Sequence, residues 1–426
     1  MRRRILIVIV VLVIAGAAAI LYLLLSKQSS VSTTPSGTSG ALPQTGTQSG
    51  TPGNAAGGTV VTFPGTGITG AGAAVKFGVV SNEPVFDYFV DAKNNALAIE
   101  PDGKIAYITN GEVSYLNSNT IQNLISADFS YDGAKVVVNF GDTTNPQTSV
   151  FDVAAKAWAP LPSGIISPVW SPIDYHLAYL EAATGTTTLF LIDGSKAGSK
   201  PTQLATFSAV DLSLRWIDKN RLMVYGKPSA YADPSAWIFN LTSKAVTPII
   251  SETPGLEITW MKAPTTTTGI SFFSGQGGRG GSVHLINITG AVTKDLSFFT
   301  LASKCVFNFE AVAAVPSAVL ATTTATSTAA TPVSPAPVLA LYCAVPRAGQ
   351  DLLAFSHLPD DYEQMALFTL DDIYRIDTTN GALVDALAGQ NIDVSDPKVF
   401  GAALFFVNRY DQKLYGLSLG TSTAAQ

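Results

Sequence analysis

The sequence predicts an all-β protein: a seven-bladed β-propeller, with six or eight blades as alternatives, preceded by one transmembrane helix and a disordered linker. Short apolar strands alternate with polar turns over most of the 426 residues, where helical periodicity is nearly absent. A strand–turn pattern returns about every 40–45 residues. Charged residues make up 13% of the chain, because residues 5–26, 28–75 and 311–346 contain none.

Residues 1–27 are predicted to form a cytoplasmic tip and a signal-anchor helix. The apolar run begins at Ile5 and ends at Leu25, which is about 31 Å of helix, close to the ~30 Å of a bilayer core. Three arginines precede it and only Lys27 follows closely. This asymmetry favours a single-pass protein in the cell (inner or cytoplasmic) membrane, with its N-terminus in the cytoplasm. A cleaved signal peptide is the alternative, but its apolar stretch is usually shorter and ends in small residues.

Residues 28–78 are predicted to be a flexible linker. They consist mainly of Ser, Thr, Gly, Pro and Ala, with almost no large apolar side chain. Such a segment cannot bury enough apolar surface to offset chain entropy. Its mean span is about 35–42 Å, as expected for a flexible spacer of this length. An adhesive or glycosylated stalk is the alternative interpretation.

Residues 79–426 are predicted to form the propeller. Each repeat opens with an apolar strand that ends in a large side chain, at positions 30, 41, 46 and 44 residues apart: Ile99, Phe129, Trp170, Trp216 and Trp260. A turn follows, such as the one at Asp132 and Gly133, and then two or three further strands. Four-stranded units repeated around a ring are propeller blades. The last repeat ends without a fourth strand, so we expect the unassigned strand at residues 85–90 to complete it and close the ring.

Residues 129–138 carry a resemblance to a known family. Their sequence, Phe-Ser-Tyr-Asp-Gly-Ala-Lys-Val-Val-Val, resembles the blade core of TolB-like, or WD-like, β-propeller proteins. The resemblance extends over about residues 80–418. It implies about seven blades and partner binding at the ring faces, and it carries over no catalytic residue.

The third uncharged tract interrupts the sixth repeat, with a low-complexity insert at about residues 314–337. Cys305 lies in the strand before it and Cys343 in the strand after it. If these two face each other, Phe307 faces Leu341 and Phe309 faces Leu339, so that all share one apolar face. Facing positions in such a pair lie close to disulfide range, and we expect a disulfide. Two buried free thiols are the alternative.

The composition excludes several classes of function. The net charge of −6 argues against a nucleic-acid partner, and two cysteines cannot build a multi-cysteine metal centre. His176, His284 and His357 fall in different repeats, and there is no Gly-x-Ser-x-Gly nucleophile motif. The glycine-rich residues 275–281 lie between two strands rather than before a helix, so we expect a hairpin tip and not a phosphate site. No catalytic residue, cofactor or metal is predicted.

Residues 358–365 contain the clearest helix start in the propeller. Asp360 and Glu363 have the spacing of a capping box. Together with Asp361, Asp371 and Asp372 they give five carboxylates in 13 residues, yet without the alternating spacing of a calcium loop. We expect a capped, solvated insert, with a calcium site or a partner-docking element as alternatives.

We therefore expect a membrane-anchored, extracytoplasmic propeller that acts as a protein- or glycan-binding scaffold at the cell envelope, without catalysis. Its expected partners are the membrane, through the N-terminal helix, and an envelope protein or glycan. The expected interaction surface is one ring face that combines the stalk at residues 28–75, the loop at residues 311–346 and the insert at Asp360. A hydrolase or lyase acting on envelope glycans through paired carboxylates at the ring axis is one alternative. A purely structural envelope protein is the other.

Overall fold

The computed structural model describes residues 77–196, 198–261, 268–310, 338–347 and 350–419. Over these ranges the chain is a seven-bladed β-propeller built from seven antiparallel, four-stranded sheets. The predicted all-β class and blade number are confirmed. The predicted anchor, most of the linker and the low-complexity insert lie outside the described residues. Within the described ranges, no helix has the length and apolar character needed to span a bilayer.

The strands follow one another in short hairpins. The chain opens with β1 (Phe77–Pro84). Blade 1 contains β2 (Asp87–Val90), β3 (Ala96–Ile99), β4 (Ile105–Thr109) and β5 (Glu112–Asn117), and blade 2 contains β6 (Leu124–Phe129), β7 (Lys135–Asp142), β8 (Asn145–Asp152) and β9 (Ala157–Pro160). Blade 3 contains β10 (Ile165–Trp170), β11 (His176–Ala183), β12 (Thr186–Asp193) and β13 (Thr202–Phe207). Blades 4 and 5 contain β14 (Leu212–Asp218), β15 (Arg221–Gly226), β16 (Ala236–Asn240), β17 (Val246–Ile250), β18 (Glu257–Trp260), β19 (Thr268–Ser274), β20 (Gly281–Asn287) and β21 (Val292–Asp295).

Blade 6 contains β22 (Cys305–Glu310), β23 (Val338–Pro346), β24 (Asp371–Asp377) and β25 (Leu383–Leu387), and blade 7 contains β26 (Val394–Phe400), β27 (Ala403–Asn408) and β28 (Lys413–Ser418) together with β1. Two short helices, α1 (Gln350–Phe355) and α2 (Asp360–Glu363), lie between β23 and β24. Single 3-10 turns occupy Gln276–Gly278 and Ala302–Lys304. The first strands of neighbouring blades contact each other, so the first strand of each blade is the innermost.

The ring closes through β1, which pairs with β28 as the outermost strand of blade 7. The ring of Phe77 stacks against those of Phe406 and Tyr415, with centroids 6.3 and 5.5 Å apart. The prediction that residues 85–90 close the ring is therefore wrong. Residues 87–90 form β2, which is nearly all buried, as an innermost strand requires, whereas β1 is partly exposed along its length.

The predicted strand order of blade 1 is also shifted by one strand. Ile99 ends β3, a second strand, whereas Phe129 ends β6, a first strand. The turn at Gly103 joins a second strand to a third, and the turn at Gly133 joins a first strand to a second. The same Asp-Gly turn chemistry serves both connections. The spacing of 30 residues between Ile99 and Phe129 is short because it runs from a second strand to the first strand of the next blade.

The Asp-Gly turn of blade 2 requires its particular residues. Gly133 has φ of +72°, and a Cβ there would lie 2.4 Å from the ring of Phe89. The Asp132 carboxylate accepts hydrogen bonds from the Ala134 N–H at 3.0 Å and from the Tyr175 hydroxyl of blade 3 at 2.5 Å. The turn therefore also links one blade to its neighbours.

The tryptophans that mark the repeats are buried between blades. Trp216 of blade 4 donates its indole N–H to the Val169 carbonyl of blade 3, at 3.1 Å. Trp260 of blade 5 donates to the sulfur of Met223 in blade 4, at 2.9 Å. Trp170 is buried in the core of blade 3. Their spacing in the sequence follows from this recurrent role in packing blade against blade.

The strand order defines two ring faces. The helix face carries the connections from second to third strands, among them residues 227–235, 275–280, 347–370 and 409–412. The tail face carries the start of β1, the end of β28 and the two ends of the 311–337 segment. The stalk at 28–75 lies outside the described residues, as does most of the 311–346 loop. The described residues that flank them, Phe77, Glu310 and Val338, lie at the tail face, opposite the Asp360 segment, so the prediction that all three share one face is wrong there. The two segments leave β23 at opposite ends because they precede and follow the same strand.

Candidate functional site

Residues 347–370, which we call the cap segment, reach from blade 6 across the helix face to blades 4 and 5. The Asp360 carboxylate accepts hydrogen bonds from the Ser229 hydroxyl at 3.0 Å and the Ala230 N–H at 2.5 Å, both in blade 4. The Leu358 carbonyl accepts a hydrogen bond from the Ser274 hydroxyl of blade 5 at 2.5 Å. The cap segment is therefore held by blades that lie outside its own.

A short helix at residues 360–363 is present, but the predicted capping box is not. The residue that precedes the helix is Pro359, and no side chain caps it. The Asp360 carboxylate points instead to the loop of blade 4. The Asp360 carboxylate, which the spacing predicted to cap the helix, accepts hydrogen bonds from a distant loop instead.

A buried ionic cluster lies beneath the cap segment. The Lys304 Nζ contacts Asp371 at 2.7 Å and Asp393 at 2.8 Å, and the Arg409 guanidinium contacts Asp393 at 3.0 Å. The Tyr362 hydroxyl of α2 donates to Asp393 at 3.0 Å. All five residues are buried. Although burial lowers it, the surrounding Tyr362 and the two carboxylates raise the pKa of Lys304 above its usual value, so the ammonium stays charged.

The cap segment exposes several large apolar side chains. Its exposed side chains, with those of two neighbouring loops, form what we call the apolar patch, and they are 39% to 70% exposed: Tyr231, Phe355, Met365, Phe368, Leu370 and Tyr410. Tyr231 stacks on His357 with centroids 5.0 Å apart, and Phe368 stacks on Tyr410 at 5.6 Å. Aromatic and methionine side chains gathered on one surface are typical of protein interfaces.

Two carboxyls, one in blade 5 and one in the cap segment, influence each other electrostatically. Glu257 begins the innermost strand of blade 5 and is buried, and its Oε2 has no hydrogen-bond partner. Glu363 ends α2 and its residue is exposed to solvent. Loss of hydration and then the charge of Glu257 raise the pKa of Glu363 to about 7, while Lys227 lowers it. Burial also raises the pKa of Glu257. The outer carboxyl is therefore only partly ionised at neutral pH.

A second acidic group lies on the innermost strands where the ring closes. The Lys398 Nζ of blade 7 contacts the Asp87 carboxylate of blade 1 and lies 2.8 Å from Asp396. Burial raises the pKa of Asp87 to about 7, although Lys398 opposes the shift and Asp396 adds to it. This arrangement brings two carboxyls together on the innermost strands, and it also joins the first blade to the last.

The two cysteines lie together, away from the helix face. Cys305 is paired with Cys343, Phe307 with Leu341 and Phe309 with Leu339, which is the register expected from the sequence. The two sulfur atoms are joined, with an S–S distance of 2.09 Å. The disulfide holds β22 to β23 across the base of the 311–337 segment.

Other kinds of chemistry find little support in the described part of the chain. No group of three or more His, Cys, Asp or Glu side chains there is placed to hold a metal ion. A cleft of about 310 Å³ on blade 2 is lined by no titratable side chain.

The sequence analysis singled out Asp360 and Glu363 but missed the apolar patch and the ionic cluster. Their members are spread over blades 4 to 7, and only the run of apolar residues at 365–370 signals any of them.

Comparisons with known proteins assign the chain to no family, although some solved propellers are distantly similar. No model of a protein family matches the sequence, and neither does any curated protein sequence. Among solved structures, the β-propeller domain of the trilobed protease from Pyrococcus furiosus is 9% identical, with 80% of this chain and 98% of that domain covered and a TM-score of 0.46. The Cps50 (Swd1) propeller domain of Myceliophteria thermophila is 9% identical, with 81% and 100% covered and a TM-score of 0.47. A prolyl endopeptidase is 11% identical with a TM-score of 0.46, and 77% of this chain corresponds to 47% of its length.

Proposed function

We propose that this chain is a binding or scaffold module of the cell envelope, which docks a protein partner on the helix face of its propeller. The apolar patch is the observation that carries the proposal. Four large apolar side chains stay exposed on the cap segment and two more on neighbouring loops, although the segment is otherwise anchored by buried charges and by contacts to blades 4 and 5. A rigid base beneath exposed aromatic side chains limits the entropy lost on binding. A glycan that stacks on the same rings is the alternative partner.

The proposed location rests on the sequence. Residues 5–25 are long enough and apolar enough to anchor the chain, and the arginines before them favour a cytoplasmic N-terminus. A disulfide between Cys305 and Cys343 suits a propeller outside the cytoplasm, where thiols are oxidised. Protease added to intact cells stripped of their wall should digest the propeller while the N-terminus stays protected. Protection of the propeller until the membrane is lysed would contradict this topology.

Site-specific photocrosslinking tests the proposed docking face. A photoreactive phenylalanine analogue at Phe368 should give a discrete crosslinked product in native membranes. The matched control is the same analogue at Val384, which is 55% exposed on the outermost strand of blade 6. Crosslinks at Val384 but not at Phe368 would exclude the helix face as the docking surface.

A second candidate function is cleavage of an envelope glycan, and the acidic group at the ring axis favours it. Asp87, with a pKa of about 7, has the protonation of a general acid near neutral pH, and Asp396 supplies a second carboxyl. A screen of glycan substrates with wild type and D87N would test it. Activity that D87N retains in full would exclude this pair as the catalytic group.

A further inference from the structure

We propose that Asn240 and Asn287 carry N-linked oligosaccharides on the tail face of the propeller. Residues 240–242 of blade 4 read Asn-Leu-Thr and residues 287–289 of blade 5 read Asn-Ile-Thr, which is the Asn-x-Thr acceptor sequence of this modification. No other Asn-x-Ser or Asn-x-Thr sequence occurs in the chain. The inference rests on the proposed location outside the cytoplasm, because such sequences are modified on surface loops of exported proteins.

Both acceptor sequences lie at the same place in their blades, in the turn that follows the third strand. Asn240 ends β16, and its Oδ1 accepts a hydrogen bond from the Thr242 N–H at 2.9 Å. Asn287 ends β20, and its Oδ1 accepts one from the Thr289 N–H, also at 2.9 Å. Third strands begin at the helix face, so both turns lie on the tail face. The amide oxygens are thus committed to holding the turns.

The amide nitrogens of the two side chains are free. Within the described ranges, neither Nδ2 donates a hydrogen bond, and neither is enclosed by the surrounding protein. Both asparagines are half-buried, while Thr242 and Thr289 are exposed. Asn117, which ends β5 in a turn of the same kind, differs, since its Nδ2 is buried and Asn119 takes the place of the threonine. The amides of blades 4 and 5 can therefore be reached from solvent.

The turn itself does not require an amide nitrogen. The third strands of blades 3 and 6 end in aspartate at the corresponding position, Asp193 and Asp377. Their carboxylates accept the same hydrogen bond, from the backbone N–H of Ser195 at 3.0 Å and of Thr379 at 2.7 Å. Because a carboxylate also forms this turn, the asparagines of blades 4 and 5 carry a nitrogen that folding leaves unused. That nitrogen is the acceptor atom of the modification.

The modification joins a sugar to each amide nitrogen. A bond forms between the Nδ2 and the anomeric carbon of an oligosaccharide that is carried on a lipid pyrophosphate. The bond between that carbon and the phosphate oxygen breaks, and the lipid pyrophosphate leaves with the electron pair. One proton of the Nδ2 passes to solvent, so the step involves no oxidation or reduction.

The position of the two sites is compatible with docking on the opposite face. The chain arrives from the linker at the tail face, where Phe77 begins β1. The apolar patch lies on the helix face, on loops that join second to third strands. Sugars on Asn240 and Asn287 are bulky and hydrophilic, so they cover part of the tail face and leave the docking face open.

Mass spectrometry of the full chain from its native membranes tests the modification. The intact mass should exceed that of the disulfide-bonded polypeptide by two glycan masses, and the glycopeptides should contain Asn240 and Asn287. N240D and N287D should each remove one glycan mass, because aspartate keeps the oxygen that forms the turn and lacks the amide nitrogen. T289A should give the same loss as N287D, whereas T289S should retain the glycan. N117D, a matched change outside an acceptor sequence, should leave both glycans in place.

The outcomes separate this inference from the proposed location. The double variant N240D/N287D should unfold at the wild-type temperature, since blades 3 and 6 already use aspartate in this turn. An unmodified intact mass, on a chain whose propeller is digested by protease added from outside, would overturn the modification and leave the location intact. An unmodified chain whose propeller is protected would overturn both. A sugar mass that persists in the double variant would place the glycan elsewhere and also overturn the assignment.

Discussion

Lys304 shows how one residue can connect several parts of the fold. Its ammonium lies between Asp371, which begins a strand of blade 6, and Asp393, which precedes blade 7. It also lies 4.5 Å from the ring centroid of Tyr362, in the cap segment. Burial of the two carboxylates is tolerable because Lys304 and Arg409 balance their charge.

The variant K304M tests this role. It leaves Asp371 without its cation and Asp393 with only Arg409, and we expect a loss of about 3–5 kcal/mol in the free energy of unfolding. Chemical denaturation followed by tryptophan fluorescence would measure the change. K104M, which removes the exposed ion pair of Lys104 with Asp102, is the control and should change stability little. Equal effects of the two variants would contradict a special role for the buried cluster.

Asp87 gives the protein a second residue-scale property, a dependence of stability on pH. Burial raises the pKa of Asp87 from 3.8 to about 7 in the folded chain, so the folded state binds more protons than the unfolded state between these values. Its contribution to stability is therefore full below pH 3.8 and is lost as the pH rises through about 7. Wild type should lose stability relative to D87N over this window. A constant difference between the two proteins from pH 4 to pH 8 would show that Asp87 does not titrate as described.

At the scale of elements, the sequence predicts the pairing at the disulfide correctly but not the contacts of the cap segment. The register of β22 against β23 follows from period-two alternation, so the facing of Cys305 and Cys343 could be read from the sequence. The short helix of the cap segment was also predicted. Its capping box was not found, because Asp360 finds partners in blade 4 that lie 130 or more residues away in the chain. Local spacing contains no information about such partners.

The disulfide makes a testable contribution at this scale. Replacing both cysteines by alanine should lower the free energy of unfolding by about 2–4 kcal/mol, because the bond restricts a long loop in the unfolded chain. Denaturant titrations with and without reductant would measure it, and reductant should have no effect on the double variant. Detection of two free thiols by intact mass spectrometry without reductant would contradict the bond.

At the scale of the whole molecule, ring closure by β1 determines whether the propeller has an open edge. Without β1, β28 exposes a row of unpaired backbone groups and Tyr415 loses the stacked ring of Phe77. We expect deletion of residues 1–84 to lower the unfolding temperature and cause association in solution. Deletion of residues 1–76, which keeps β1, is the control. Scanning calorimetry and light scattering would compare them, and two monomeric proteins of equal stability would contradict this role of β1.

The sequence by itself determined the all-β class, the seven repeats, most strands of blades 2 to 7 other than the closing strand β1, and the facing of the two cysteines. These features depend on residues near one another, through alternation, turn chemistry and regular spacing. The tertiary structure decided which strand closes the ring, which segments share a face, and which charges meet beneath the cap segment. Those features depend on side chains such as Lys304 and Asp393 that are 89 residues apart. Only the packing of one blade against the next brings them together.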